Sequence, residues 1–220
     1  MKTRISFEQE LQEMNEELAG MGEMVVGSIQ KTFRAFAEND RELAAGVIER
    51  DRAVNEAERS IESRCLMLML RQQPVAGDLR HISMALKVVT DLERIGDHAA
   101  DIAELVLRLN SGGSQKRMEV LAEMVNSVQA MLQDAVDAFI RKDQLLAEQV
   151  ERQDDVIDDF FNQVKEEVIK LLKEDRESPD RAVDLLMFAK YLERIGDHAV
   201  NVCEWTEFYD TGELKHHRIL

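Results

Sequence analysis

The sequence contains few of the residues that interrupt helices. Only 2 prolines and 10 glycines occur among 220 residues, and aromatic residues make up 5% of the chain. Leu, Ala, Met, Glu, Arg and Val are abundant instead, and straight side chains lose little rotamer freedom on a helix. With 45% hydrophobic and 33% charged residues, the chain is neither disordered nor fibrous. The composition therefore predicts a helical globular protein.

Long apolar runs and a disulfide framework are also lacking. No stretch approaches the roughly 20 apolar residues of a membrane span. The first ten residues, MKTRISFEQE, lack the apolar core of a signal peptide. We therefore expect a cytoplasmic protein with no direct membrane insertion. Without a secretory signal, Cys65 and Cys203 are predicted to be buried, reduced thiols.

Basic residues are outnumbered. Lys and Arg total 28 against 44 Asp and Glu, which gives a formal net charge of −16. Phosphate recognition depends on Lys and Arg, so this balance argues against nucleic acid as a partner. An acidic surface suits a basic patch on a partner protein or hard metal ions. The alternative is that the charge only keeps the protein soluble.

Local sequence signals divide the chain into six long helices. A capping box at Ser6 and Gln9 is predicted to begin helix one, which runs to about Asn39. Asp40 and Asp143 are predicted to cap helices two and five. The other predicted boundaries are Gln73-Pro74 at the end of helix two, about 75–110 for helix three, a linker at 111–114, about Arg141 at the end of helix four, about Asp175 at the end of helix five, and Ser178-Pro179 to Thr211-Gly212 for helix six.

One octapeptide occurs twice. Residues 92–99 read LERIGDHA, and residues 192–199 read the same. Eight identical residues at corresponding places indicate an internal duplication. Short connections between long helices favour antiparallel neighbours. The predicted fold is all-α, with six long helices in two tandem, pseudo-twofold-related three-helix bundles that cover residues 1–110 and 111–220.

The octapeptide places two carboxylates four residues apart. Glu93 and Asp97 share one face of helix three, and Glu193 and Asp197 share one face of helix six. The two glutamates fall on the stripe that faces the bundle, or at its edge. A carboxylate there is costly unless it is paired, hydrogen-bonded or bound to a metal. The repeated pair is therefore a candidate metal site.

The helix before each octapeptide carries polar residues at the same spacing. Asp51 and Asn55 lie on helix two, and Asp154 and Asp158 lie on helix five. If the two helices of each pair pack antiparallel, each half gathers oxygen ligands from both. Oxygen clusters suit hard cations such as iron, manganese or magnesium, with zinc as a further candidate.

Other octapeptide residues leave a second interpretation open. Arg94 and Arg194 could pair with carboxylates on neighbouring helices, and such pairs would explain the same residues without a metal. His98 and His198 follow the aspartates directly, about 100° around the helix. We expect these histidines to lie at the surface or behind the ligands rather than to bind the metal themselves.

These motifs resemble those of the PhoU family. The resemblance rests on LERIGDHA in both halves, on the two long three-helix repeats and on QPVAGDLR at residues 73–80, and it spans about Ser6 to Tyr209. It implies a pair of three-helix bundles, homodimers, and multinuclear iron or zinc clusters on the repeated acidic motif. It also implies a negative regulator of phosphate uptake and of the phosphate-starvation response. In that family the regulator acts through the phosphate-specific ABC transporter and a sensor histidine kinase.

The two halves differ at two of the positions to which the resemblance assigns ligands. Asn55 stands where the second half has Asp158. Asp101 stands where the second half has Asn201. An amide is a poorer ligand for a hard ion, so we expect the first site to be weaker on helix two, with compensation from Asp101. The nominated ligands are Asp51, Asn55, Glu93, Asp97 and Asp101 in the first site, and Asp154, Asp158, Glu193 and Asp197 in the second.

The alternative function is a carboxylate-bridged dimetal helical-bundle enzyme, either an oxidase or a hydrolase. Such bundles typically use Glu-x-x-His on two helices. Neither Glu93 nor Glu193 has a histidine three residues later, and the spacing of Asp78 and His81 has no counterpart in the second half. The sequence therefore favours a regulatory adaptor and predicts no enzymatic activity.

Overall fold

Helices account for nearly all of the computed structural model, which describes residues 2–72, 74–109, 115–174, 179–214 and 217–218. A pair of two-residue strands follows the last helix, with Glu213 opposite Arg218 in antiparallel register. Because helices make up nearly all of the described residues, the predicted all-α class is confirmed. The elements are α1 (Lys2–Glu38), α2 (Arg41–Gln72), α3 (Ala76–Arg108), α4 (Gln115–Arg141), α5 (Gln144–Glu174), α6 (Pro179–Thr211), β1 (Glu213–Leu214) and β2 (His217–Arg218).

Both predicted aspartate caps are present. Oδ1 of Asp40 accepts a hydrogen bond from the backbone N–H of Leu43 at 2.9 Å. Oδ1 of Asp143 accepts the equivalent bond from Leu146 at 3.1 Å. These bonds satisfy donors that the first turn of each helix leaves without an intrahelical partner. The caps fix where α2 and α5 begin.

One predicted boundary is wrong, and two predictions lie outside the described residues. α1 already begins at Lys2, so Ser6 is inside the helix and not at its start. No proline or glycine precedes Ser6, and nothing in that stretch ends a helix. The predicted linker at 111–114 and the cap at Ser178 fall on residues that the structure does not describe. Asn39 and Lys142 follow α1 and α4 with φ of 54° and 56°, so both helices end in the same left-handed turn.

Each half packs its second and third helices antiparallel. Along α2, Val54 lies against Gly96 and the later Glu58 lies near the earlier Glu93 of α3. Along α5, Ile157 lies against Gly196 and the later Phe161 lies near the earlier Lys190 of α6. α1 packs on both α2 and α3, and α4 packs on both α5 and α6. This arrangement confirms the two predicted three-helix bundles. The apolar stripe of each helix is buried between its two neighbours.

The two bundles meet mainly through α3 and α6, with a smaller contact between α1 and α4. The ring centroids of His98 and His198 are 5.8 Å apart across the α3–α6 contact. Each of these two histidines therefore meets its own counterpart from the other repeat, as expected near a local twofold axis. His98 is 8% exposed, so it is buried within this contact. Of the two predicted placements, at the surface or behind the ligands, the surface placement is therefore wrong for His98.

Both cysteines are free and buried, as predicted. Burial is the largest cause that raises the pKa of each thiol to about 12, which leaves Cys65 and Cys203 protonated and unreactive. Among the described residues, no helix combines the length and the apolar character that crossing a membrane requires.

Candidate metal centres in the two halves

The first carboxylate cluster lies where α2 and α3 come closest. A Cβ atom on Gly96 would be 3.0 Å from Cγ1 of Val54 and 3.7 Å from Oδ1 of Asp51. Because Gly96 has no side chain, α2 can approach α3 this closely, and Asp51 comes within electrostatic range of Asp97. The glycine costs roughly 1 kcal/mol of helix propensity relative to alanine. In return for this cost, the two acidic helices can approach each other closely.

Burial and like charge act together on the carboxyl groups of this cluster. Burial and then Asp97 raise the pKa of Asp51, although a hydrogen bond from Asn55 acts in the opposite direction. Burial and then Asp97 also raise the pKa of Glu93. Oδ1 of Asp51 and Oε2 of Glu93 are buried oxygens that have no hydrogen-bond partner. Leaving such atoms unpaired is costly, and a cation between the two helices would remove that cost.

Arg94 neutralises the first cluster only in part. Its Nε is 3.6 Å from Oε2 of Glu93, and its Nη1 is 3.3 Å from Oδ2 of Asp97. Both distances exceed the roughly 2.7–2.9 Å of a strong charge-assisted hydrogen bond, and the Arg94 side chain is 55% exposed. The pairs also lie within α3. They therefore do not account for Asp51, which reaches the cluster from α2.

Glu58 belongs to this cluster and was missed in the sequence. It lies two turns after Asp51 on α2, on the same face of the helix. Burial and then Glu62 raise its pKa, and Glu58 in turn raises the pKa of Glu93 on α3. The signal that could have revealed it is the seven-residue spacing from Asp51, because residues seven apart share a helix face.

Asp101 lies between the first cluster and the contact of the two bundles. Its Oδ2 is 3.4 Å from Nδ1 of His98, and its charge still contributes to the raised pKa of Asp51. Burial lowers the pKa of His98, and the hydrogen bond to Asp101 raises it. Burial has the larger effect, so the pKa is lowered overall. Asp101 can therefore serve either the cluster or the histidine pair.

The second cluster repeats this geometry between α5 and α6. A Cβ atom on Gly196 would be 3.2 Å from Oδ1 of Asp154. Burial, followed by repulsion from Asp197, Asp158 and Glu193, raises the pKa of Asp154 to about 6. Burial and then Glu193 raise the pKa of Asp197. The structure therefore brings together all four residues nominated for this half.

A lysine distinguishes the second cluster from the first. Nζ of Lys190 donates hydrogen bonds to both carboxylate oxygens of Glu193, one turn away on α6. The same ammonium lies 5.3 Å from the ring centroid of Phe161. The corresponding positions in the first half hold Thr90 and Glu58. One half therefore adds a carboxylate where the other half adds a cation and a ring.

The carboxylate oxygens suit a hard cation, but the side chains are not arranged around one. Within the described part of the chain, no three or more His, Cys, Asp and Glu side chains form a group that could hold a metal ion as they stand. Arg94 and Lys190 each engage a glutamate that a metal would need. Both side chains are substantially exposed, at 55% and 40%, and can turn into solvent. Oδ1 of Asp51 and Oε2 of Glu93, which have no hydrogen-bond partner, then fit a cation that is strongly coordinated by oxygen.

Comparison with known proteins gives the same two-part organisation. The family model described as "PhoU domain" matches residues 18–106 and again residues 121–206. The chain is 36% identical over 212 residues to a protein of Clostridium acetobutylicum named "Phosphate-specific transport system accessory protein PhoU homolog", covering 96% of this chain and 97% of that protein. An Aquifex aeolicus protein of the same name is 37% identical over 209 residues, with 95% of each chain covered.

Two crystal structures share the fold. The phosphate transport system regulatory protein PhoU of Streptococcus pneumoniae superimposes with a TM-score of 0.88 at 32% identity, over 96% of this chain and 100% of that one. PhoU of Pseudomonas aeruginosa gives a TM-score of 0.90 at 34% identity, over 94% and 100%. These relatives are named as accessory or regulatory proteins and not as enzymes, in agreement with the prediction that this chain is not an enzyme. Two matches to one domain, near-complete coverage of these relatives and a shared fold establish that the chain belongs to the PhoU family.

Proposed function

We propose that this protein is a regulatory accessory protein of phosphate transport. The observation that carries the proposal is the match of both halves to the PhoU domain. Relatives that align over nearly their whole length are named as accessory proteins of the phosphate-specific transport system. The regulatory role is the restraint of phosphate uptake and of the phosphate-starvation response when phosphate is abundant.

The partners in this proposal are the phosphate-specific ABC transporter and a sensor histidine kinase, met at the cytoplasmic face of the membrane. The net charge of −16 supports contact with basic surfaces of such proteins. Electrostatic contacts of this kind weaken as the salt concentration rises. Affinity for a purified transporter or kinase should therefore fall between low and physiological salt, and an affinity independent of salt would point to an apolar contact instead.

A homodimer is part of the same proposal. Leu66 on α2 and Ile169 on α5 occupy corresponding positions of the two repeats and are 54% and 44% exposed. Leu70, one turn beyond Leu66, is 78% exposed. Exposed apolar side chains at repeated positions favour self-association of helical surfaces. Light scattering should give twice the 25.2 kDa mass of the chain, and Leu66→Glu with Ile169→Glu should return it to the monomer mass.

The two clusters are proposed to hold multinuclear metal sites, with iron or zinc foremost and manganese or magnesium as further candidates. Asp51, Glu93 and Asp97 would hold the first site, with Asp101 and Asn55 at its edge. A bound cation would neutralise carboxylates whose mutual repulsion raises their pKa, and would fix α2 against α3. Asp154, Asp158, Glu193 and Asp197 would do the same between α5 and α6.

The regulatory role is tested in the source organism. Deletion of the gene should raise phosphate uptake and the expression of phosphate-starvation genes during growth in abundant phosphate. Restoring the intact gene should reverse both changes. An unchanged response in the deletion strain would contradict the regulatory role, provided that related genes are deleted as well.

The metal sites are tested on the purified protein. Glu93→Ala with Glu193→Ala should lower the bound iron or zinc measured by elemental analysis, while circular dichroism keeps the helical signal. Glu56→Ala with Asp159→Ala is the matched control, because these residues occupy corresponding exposed positions on α2 and α5. Equal metal content in the two double variants would sink the ligand assignment.

A further inference from the structure

A cavity of about 260 Å³ opens near one end of the molecule, away from both carboxylate clusters. Residues of the first half line it from α1 and α3, and residues of the second half line it from the end of α4 and from α6. An occupant would therefore touch both repeats. The residues used below are Asn15, His81, Met84, Phe139, Lys142 and Tyr209.

The floor of the cavity combines apolar walls with a neutral imidazole. His81 is 7% exposed, and its Nε2 lies 2.7 Å from Oδ1 of Asn15. Its ring packs edge-on against Tyr209 at a centroid distance of 4.9 Å. Burial is the largest cause that lowers the pKa of His81 to about 4, and Lys142 is the next. The positive charge of Lys142 therefore acts electrostatically on the imidazole of His81 at the floor of the cavity.

Lys142 lies at the mouth of the cavity, and among the described residues that line it Lys142 is the only cation and Glu16 the only carboxylate. Its Nζ donates a 3.0 Å hydrogen bond to the hydroxyl of Tyr209 and lies 4.1 Å from the centre of that ring. The Lys142 backbone is left-handed, with φ of 56°, and this turn carries the side chain across to α6. In a protein of net charge −16, this is a local positive site beside an apolar wall.

The duplication makes the cavity more informative, because the other half holds different side chains at the corresponding positions. The position of Lys142 is held by Asn39 in the first repeat, and the position of Tyr209 is held by Leu109. The position of Met84 is held by Asp184, which pairs with Arg108 at 3.3 Å. The fold alone therefore does not require Lys142, Tyr209 or Met84 at these positions, since the other repeat builds the same fold with different side chains there.

We propose that this cavity binds a small organic monoanion, with its charge at Lys142 and Tyr209 and its apolar body against Met84 and Phe139. The volume equals that of roughly nine water molecules, which allows a ligand of about ten non-hydrogen atoms. Glu16, whose Oε1 accepts a hydrogen bond from Gln12 at the rim, disfavours multiply charged anions. Pockets with an apolar lining and a few convergent polar groups are the usual form of small-molecule sites. The proposal is independent of the metal clusters and of the regulatory role.

The test uses benzoate and isovalerate as probes, with inorganic phosphate as the comparison anion. Trp205, the single tryptophan of the chain, directly precedes Thr206 of the cavity wall but is not itself one of the lining residues, so its fluorescence is an indirect readout of binding. The imidazole signals of His81 in NMR spectra give a second readout inside the cavity. We expect saturable binding of at least one of the two carboxylates at millimolar concentration or below, with no comparable response to phosphate.

Two variants assign the charge, and one is a matched control. Lys142→Asn keeps a residue that the left-handed turn accepts, as Asn39 does, and should weaken binding about tenfold, the loss expected for one charge-assisted contact of about 1.4 kcal/mol. Tyr209→Phe should weaken it less, because only the hydroxyl is lost. Asn39→Lys places the cation in the other repeat and should leave binding unchanged. The proposal would be overturned if neither carboxylate bound or if phosphate bound more strongly. It would also be overturned if Lys142→Asn and Tyr209→Phe bound the carboxylate as tightly as the wild-type protein.

Discussion

Lys190 donates hydrogen bonds to both oxygens of Glu193, whereas Thr90, at the corresponding position of the first repeat, donates its hydroxyl to the carbonyl of Leu86 at 3.1 Å. One octapeptide is thus preserved twice, but the residue one turn before its glutamate differs. In the second half the protein supplies its own cation to the cluster. A metal that binds there must displace an ammonium ion that is hydrogen-bonded to both oxygens of Glu193, whereas in the first half it must displace only the longer 3.6 Å contact of Arg94 with Glu93.

Lys190→Thr should therefore raise the metal affinity of the second cluster. The substitution removes the competing cation and leaves Glu193 available to an ion, at the cost of a partly exposed ion pair worth roughly 1 kcal/mol or less. Titration calorimetry with zinc should show one site tightening severalfold. The mirror variant Thr90→Lys should weaken the other site. Unchanged affinities in both variants would show that Lys190 does not compete with the metal.

Asp154→Asn should stabilise the metal-free protein at neutral pH and weaken metal binding. The folded pKa of Asp154, about 6, lies above its ordinary value of 3.8. Holding the carboxylate charged above about pH 6 therefore costs stability, and this cost disappears as the pH falls from 6 to 3.8. With allowance for solvent screening, the gain from the amide is roughly 1 kcal/mol. Thermal unfolding with a chelator measures it.

Asp155→Asn is the matched control for that prediction. It removes the same charge from the adjacent position, where the side chain is exposed. Asp155 is the weakest of the neighbouring carboxylates that raise the pKa of Asp154, so the variant should change stability and metal content far less. A site kept for binding is expected to reduce stability when empty. If Asp154→Asn and Asp155→Asn behave alike, the strain assigned to the cluster is absent.

Gly22→Ala should destabilise the contact between the two halves. A Cβ atom on Gly22 of α1 would lie 2.8 Å from Cγ1 of Val136 on α4, so either the valine side chain or the two helices must shift. Such overpacking costs about 1–3 kcal/mol. Gly20→Ala, two residues earlier on the same helix, meets nothing within 4 Å and should instead stabilise the protein by about 0.5–1 kcal/mol. Urea unfolding of both variants distinguishes a contact effect from a propensity effect.

Much of the fold could be predicted because its signals are local. Asp40 and Asp143 precede helices and cap them as expected, since capping depends on one side chain and the next turn. The octapeptide repeat predicted the duplication. The polar residues on the helix before each copy predicted that Asp51 faces the Asp97 helix and that Asp154 faces the Asp197 helix, as the structure shows. The start of α1 was missed because a capping signal at Ser6 does not stop a helix that can extend further.

The rest depends on contacts between helices that are distant in sequence. Glu58 takes its role from Glu93 on the helix opposite, so it does not stand out in its own segment. Lys190 lies one turn from Glu193 on α6, but its contact with the ring of Phe161 again depends on the helix opposite. His98 was expected at the surface or behind the ligands, because it lies about 100° around α3 from Asp97. It is buried only because the second bundle covers that face and brings His198 next to it. A period of 3.6 residues identifies a face but not the partner that covers it.

Acid should destabilise the protein in part through His81. Its folded pKa of about 4 lies below the ordinary value of 6.5, mainly because of burial. The neutral imidazole therefore contributes stability that is fully present above pH 6.5 and is lost as the pH falls towards 4. The full difference corresponds to about 3 kcal/mol.

The pH dependence is isolated by comparison with His81→Gln, which keeps a neutral polar group beside Asn15. Asp154 changes stability in the opposite direction over part of the same range, but it is common to both proteins and cancels in their difference. Wild-type protein should be more stable than the variant at pH 6.5 and should lose this advantage as the pH approaches 4. Denaturant unfolding at several pH values measures the difference. A constant difference would mean that His81 titrates normally and is open to water, and the cavity floor would then be too polar for the apolar body of an organic anion.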